Sequence, residues 1–305
     1  MFCNERPLAI AIFFLELVII SLFTSCIDDD NENCSNGKKM IHLQILPEWE
    51  GQMGLPEGIR VTFYSLKTHK YVQDNYLAKG GYSDIREGNY QLIMYNNDSE
   101  KIRFRNVDTY DAHEAFTNQI SRPSYQSPVS GEETYAQPDM LWLDRINEFD
   151  ISSRSAVIRF KPRQMVKLYS GRVEVEGLEH VQEVRGAVTG IIGSLNLSSG
   201  KSNEPATLFF DAGIRSDSVY FNFRSFGTFY TKSTPIKHYL VLEFLLPKGI
   251  VQRNIEITHQ MDSLLNGGYI KINTEISVPP DTTGTDGGFN ANVGDWKEII
   301  YPIPI

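Results

Sequence analysis

The chain has 305 residues, 41% of them hydrophobic, with a formal net charge of −9. That is enough for two domains of ordinary size, and the acidic balance gives no electrostatic case for binding nucleic acid. Only three cysteines occur, Cys3, Cys26 and Cys34, all near the N-terminus, so no intramolecular disulfide is expected to support the body of the fold.

In chain order, the first feature is a leader. Arg6 and the amino terminus form a thin positive region, Leu8 to Phe23 is an apolar run interrupted by Glu16, and Phe23-Thr24-Ser25-Cys26 follows. Small residues after such a run are what signal peptidases require. The run falls short of the ~20 residues of a bilayer span, and a carboxylate at its centre is costly there. The tetrapeptide resembles a bacterial lipobox, with Phe23 where Leu is usual. The expectation is a signal peptide over 1–25 and a diacylglycerol on the thiol of Cys26. Asp28, Asp29 and Asp30 then open a polar tether, 26–38.

Beyond the tether the chain reads as strands. Ile59, Val61 and Phe63 alternate with polar residues, as do Val173 and Val175, then Val219, Phe221 and Phe223, and finally Ile270, Ile272, Ile276 and Val278. Period-2 alternation in β-branched and aromatic runs predicts strands with one buried and one wet face, as in an antiparallel sandwich. Turn signals stand between them at Glu57-Gly58, Gly80-Gly81, Glu87-Gly88, Ser199-Gly200 and Asn266-Gly267-Gly268. Pro138 to Glu148 reads as a short helix or equally as a strand. The polar stretch 106–138 reads as a long loop of the first block. A new β block begins at Arg154 and runs to Pro162. Domains are therefore expected at 39–150 and 151–305, with a flexible excursion over Pro279–Gly288 and a last strand over Trp296–Ile303.

Catalytic patterns are sparse. The six histidines (His42, His69, His113, His180, His238 and His259) show no metal-ligand spacing, and no nucleophile elbow occurs. Glu174 and Glu176 sit on one strand face and read as a solvated surface rather than a carboxylate pair for glycoside hydrolysis. Gly186 to Gly193 lacks the lysine and the spacing of a phosphate loop. Tyr220 to Tyr230 is rich in aromatics, which suits a core and strand edge, or a sugar-stacking platform. Asp217-Ser218-Val219, Asp262-Ser263-Leu264 and Asp281-Thr282-Thr283 fit a short O-glycosylation pattern. No catalytic residue, metal site or cofactor is expected.

Taken together, these features resemble the fimbrillin-associated lipoproteins of Bacteroidales. The residues that carry the resemblance are Phe23 to Cys26 with the acidic run after it, Pro47 to Gly51, Gly58 to Tyr64, Gly88 to Tyr95 with Asn96, Pro138 to Trp142, Gly186 to Gly190, and Gly294-Asp295-Trp296. The resemblance implies an all-β chain of two tandem transthyretin-like Greek-key β-sandwich domains. It implies an outer-membrane, surface-exposed protein held by lipid on Cys26, with Asp28, Asp29 and Asp30 as the export signal. It also implies a non-catalytic role as fimbrial anchor or minor fimbrial subunit, joined to other subunits by strand addition. The alternative reading is a surface glycan-binding lipoprotein of a polysaccharide-uptake system.

Overall fold

The computed structural model describes residues 39–49, 55–152, 157–231, 236–272, 276–279 and 299–302. The first strands are β1 (Met40–Pro47), β2 (Ile59–Ser65), β3 (Tyr71–Leu77), β4 (Gly81–Arg86) and β5 (Gly88–Asn96). Next come β6 (Arg103–Arg105), a 3-10 turn (Tyr110–Ala112), β7 (Glu114–Phe116), β8 (Glu133–Tyr135), β9 (Trp142–Ile151), β10 (Val157–Phe160) and β11 (Arg163–Gln164). Trp142–Ile151 thus takes the strand alternative. A five-stranded sheet, β11-β9-β5-β2-β3, faces a three-stranded one, β10-β1-β4.

Between those two sheets lies a core of Leu43, Ile45, Ile59, Val61, Phe63, Ile85, Leu92 and Met94. Each such side chain, fully buried, contributes about 1.5–3 kcal/mol. The expected Ile59–Val61–Phe63 face is here. The other face of the same strands is not wet, however. Tyr64, Ile93 and Tyr95 point into a second core with Ile102, Tyr110, Ala115, Leu143, Val166, Leu195, Leu197 and Phe226. The five-stranded sheet is therefore covered on both sides.

The rest of the chain gives β12 (Lys167–Glu176), a 3-10 turn (Leu178–His180), β13 (Glu183–Ile192), β14 (Ser194–Asn196), β15 (Pro205–Arg215) and β16 (Ser218–Ser225). It continues with β17 (Tyr239–Leu246), β18 (Gly249–Glu256), one short helix α1 (Thr258–Ser263), β19 (Gly268–Lys271), β20 (Ile276–Ser277) and β21 (Ile299–Pro302). The large sheet runs β19-β12-β16-β15-β13-β17-β18-β21. Its inner side chains, among them Tyr169, Val173, Phe210, Val219, Phe221, Phe223, Phe244 and Val251, form a single core. A Cβ on Gly186 would sit 2.0 Å from the Phe210 ring, so only glycine lets that ring close over β13.

The architecture is all-β and sandwich-like, as expected. It is not uniformly antiparallel: β1 with β10, β8 with β15, and β12 with both β19 and β20 pair in parallel. The strand expected to open the second block, β10, lies beside β1, and its Ile158 and Phe160 complete the first core. The polar stretch 106–138 contains β7 and β8, which pair with β14 and β15. Trp296 and most of the Pro279–Gly288 excursion lie outside the described residues.

His113 marks where the halves meet. Its Nδ1 shares a 2.7 Å hydrogen bond with the Tyr64 hydroxyl, its carbonyl accepts from the Leu197 amide, and the Tyr95 and Phe104 rings stand at 5.4 and 6.1 Å. Burial, and then the nearby Arg60 charge, lower its pKa to about 4 from the ordinary 6.5. Above 6.5 the ring is neutral in both states. As pH falls from 6.5 toward 4 the unfolded chain takes up a proton that the folded one resists, so stability declines by up to about 3 kcal/mol across that window. Denaturant unfolding at pH 7 and pH 4.5 should show this decline, and His113→Gln, which keeps a partner for Tyr64, should flatten it.

Candidate functional site

The residues singled out in the sequence are not gathered into one centre. Cys26, Asp28, Asp29 and Asp30 lie outside the described residues, as does the Asp281 motif. His42 stacks on Tyr82 at 4.6 Å and bonds Asp84, His69 bonds Asp111 at 2.6 Å, and His180 sits beside Glu179. His238 is buried against the Thr189 carbonyl, and His259 is exposed on α1. Among the described residues no three His, Cys, Asp or Glu side chains converge in a way that could hold a metal.

Glu174 pairs with Arg172 at 2.8 Å. Together with Glu176, Glu179 and Asp217 it rims an open concavity of about 510 Å³. A second, polar hollow of about 350 Å³ lies between β7, β8 and β14, lined by Arg105, Glu114, Gln119, Glu133 and Tyr135 among others. Ser218 is buried, its hydroxyl on Asp217, which leaves no room for a sugar there, whereas Ser263 is exposed. The aromatic run divides by strand parity. Phe221 and Phe223 enter the large core, Phe226 enters the joint between the halves, and Tyr220 and Tyr230 face outward.

The feature that sequence reading missed is a strap. Residues 122–132, taken from the polar stretch, cross the outer face of β15, β13, β17 and β18 before β8 joins β15. Arg122 pairs with Glu243 at 2.5 Å, the two side chains 14% and 1% exposed, and the Ser124 hydroxyl donates to the second Glu243 oxygen. The Arg122 guanidinium also lies 4.3 Å over the Phe209 ring, which Tyr125 meets edge-on. Gln126 and Gln252 exchange two hydrogen bonds. Farther along, Glu132 accepts from the Gly190 amide and the Thr207 hydroxyl. Gly190 sits at a register shift in β13 with φ +72, where the ladder leaves an amide to be satisfied. Burial pushes the Glu132 carboxyl up, and those two donors hold it back.

Strand edges are the other candidates for contact with partners. β3 ends its sheet, and its Tyr71, Val72 and Tyr76 are 40%, 43% and 60% exposed. β4 ends the facing sheet, and among the described residues the Gln73 and Asn75 side chains bridge the gap between the two, to the Ser83 hydroxyl and, from Gln73, to the Asp84 carbonyl. An edge of this kind can receive an added strand.

Comparison with known proteins agrees with this architecture. Residues 25–211 match the family described as Domain of unknown function (DUF5119), and the chain belongs to that family. It is 27% identical over 288 residues to a Bacteroides ovatus protein provisionally named fimbrium anchoring subunit Fim4B, covering 82% of this chain and 85% of that one. A crystal structure of a candidate adhesin from Bacteroides ovatus superposes with a TM-score of 0.68 at 24% identity, over 86% of this chain and 99% of that one. The kinship with fimbrium-associated proteins expected from the sequence therefore holds, and so does the all-β, sandwich-like fold class.

Breaking the strap's ion pair from one side leaves a buried charge without its partner. Glu243→Ala should cost about 3 kcal/mol or more in guanidinium chloride unfolding. The double replacement Arg122→Met with Glu243→Leu, which removes both charges and keeps the volume, should recover most of that loss.

Proposed function

We propose that this protein is a lipid-anchored, cell-surface member of the family that anchors a fimbrium, or serves as a minor fimbrial subunit, without catalysing a reaction. The observation that carries the reading is the likeness to a fimbrium anchoring subunit over four-fifths of both chains. The leader supports it independently: an apolar run ending at Phe23-Thr24-Ser25-Cys26 suits signal-peptide removal and acylation at Cys26. In this reading residues 1–25 are cleaved, 26–38 are the tether, and the β-sandwich body follows in two units. Asp28, Asp29 and Asp30 direct the lipoprotein to the outer face of the outer membrane.

The mechanics follow from the covalent tie. Two acyl signals give stable membrane attachment where one gives only a marginal one, so an anchor needs the full lipid modification of its N-terminal cysteine. The other end of the load path is a partner strand. Main-chain hydrogen bonds supply its affinity and alternate side chains its specificity, and the β3 edge offers three exposed large side chains, Tyr71, Val72 and Tyr76, for that purpose.

Cys26→Ala should move the protein from the membrane fraction to the soluble fraction and leave fimbriae shed into the medium. Retention in the membrane with normal fimbriation would overturn the anchoring reading. Replacing Asp28, Asp29 and Asp30 with Asn should keep the protein membrane-bound and remove it from the reach of protease added to whole cells.

A further inference from the structure

The outer face of the large sheet is divided. The strap covers its β13–β17–β18 side and the Thr207–Phe209 part of β15, while β19, β12, β16 and the Asp211–Arg215 end of β15 carry no such strap among the described residues, Gln137 touching only the Arg224 amide. Strand parity assigns the open face. Tyr169, Gly171 and Val173 of β12 point inward, so Leu168, Ser170, Arg172 and Glu174 point out. By register, Ser170 stands beside Tyr269 of β19 and Asn222 of β16. Arg172 stands beside Lys271 and Tyr220, and Tyr220 beside Gly213 of β15. Arg224 lies across from Leu168, and Arg215 reaches back over the Tyr220 ring at 5.4 Å.

Three properties of this face stand out physically. It is apolar for a solvated surface: Leu168 is 55% exposed, Tyr269 52% and Tyr220 36%. It is cationic in an acidic protein: Arg172, Arg215, Arg224 and Lys271 are exposed there against Glu174, Glu176 and Asp211, on a chain of net charge −9. It is also flat and open, since a Cβ built on Gly213 would meet no atom within 4 Å. The two tyrosines are two strands apart and offset by two residues, ~12 Å by strand geometry, with Arg172 on the strand between them.

We propose that this face binds an acidic polysaccharide, with Tyr269 and Tyr220 stacking on sugar rings and Arg172, Lys271 and Arg215 pairing with its carboxylate or sulfate groups. A neutral glycan would give no charged counterpart to Arg215, Arg224 and Lys271, while Arg172 already faces Glu174. A folded acidic protein would call for a larger apolar centre with fewer charges in it. Spaced cations between aromatic rings and amide or hydroxyl groups, here Asn222 and Ser170, match a chain carrying one anion every sugar or two. The inference goes beyond the anchoring role and does not rest on it.

The test uses the full chain, with polygalacturonate as probe, dextran as the neutral control and polyglutamate as the acidic polypeptide control. Titration should show binding of polygalacturonate and none of dextran, weakening about tenfold when salt is raised from about 50 to about 300 mM. Arg172→Gln with Lys271→Gln should reduce affinity about tenfold and Tyr269→Ala about fivefold, because the first removes charge-assisted hydrogen bonds and the second a stacked ring. Thermal unfolding should be unchanged, since all three side chains are exposed, and Tyr76→Ala on the distant β3 edge should bind as the native chain does. Absence of polygalacturonate binding, retention of full affinity in the folded double variant, or equal binding of polyglutamate would overturn the proposal. None of these outcomes bears on membrane attachment through Cys26.

Discussion

The doubly buried central sheet is the constraint on which the rest of the molecule depends. β2 and β5 cannot be stable as one-sided strands, because Tyr64, Ile93 and Tyr95 would then present three large side chains to water. Their cover comes from two places far apart in the chain: the 102–115 segment, and Val166, Leu195, Leu197 and Phe226. The first half of the chain is thus completed by residues that follow it. β10 closes the first core beside β1, β14 pairs with β7, and His113 ties both to Tyr64 and Leu197. Each contact closes a long loop, and the entropy of closure grows only slowly with length. Such a joint is therefore affordable once enough apolar surface is gathered in it.

The strap extends the same logic to polar groups. A carboxylate as buried as Glu243 is unfavourable unless paired and hydrogen-bonded. Arg122 and Ser124 satisfy it from a segment more than a hundred residues earlier. Glu132 does the reverse service for the Gly190 amide, which the bulge in β13 removes from the ladder. These contacts add little net energy compared with an apolar replacement. What they add is position, because each has one geometry, and together they hold β13 and β17 under a fixed cover. Under the proposed anchoring role, ties that cross the sequence would resist extension better than contacts between neighbours.

Much of the inner surface was legible in the sequence. Ile59, Val61 and Phe63, then Val219, Phe221 and Phe223, alternate as strand geometry requires, and all are buried. The alternation also placed Tyr220 outside. It failed where a strand has two covered faces, because Thr62 and Tyr64 read as polar partners of a wet side and are in fact 0% exposed. It failed again over 106–138. That stretch is polar because its side chains answer buried polar groups elsewhere, and nothing local distinguishes such a residue from one facing water. The Arg122 that meets Glu243 looks the same in sequence as the exposed Arg163. The site residues Cys26 and Asp28 to Asp30 rest on the leader pattern, which is a local signal by nature. The open basic face was not legible, since Arg172, Arg224, Arg215 and Lys271 come from four strands whose order depends on the fold.

That separation of surfaces has a physical consequence for how the molecule would meet its surroundings. An acidic body is repelled by anionic headgroups and other anionic polymers within about a Debye length of ~8–10 Å. Attraction is then confined to where the local sign is reversed, which is the β19–β12–β16–β15 face. The strap leaves this face open while covering the adjoining half of the same sheet. The β3 and β4 edges belong to the other half of the body, on strands that share no pairing with the large sheet. A partner strand added there would extend the five-stranded sheet without contacting β19 or β12. Assembly and recognition of a charged polymer can therefore reside in one chain without competing for the same side chains.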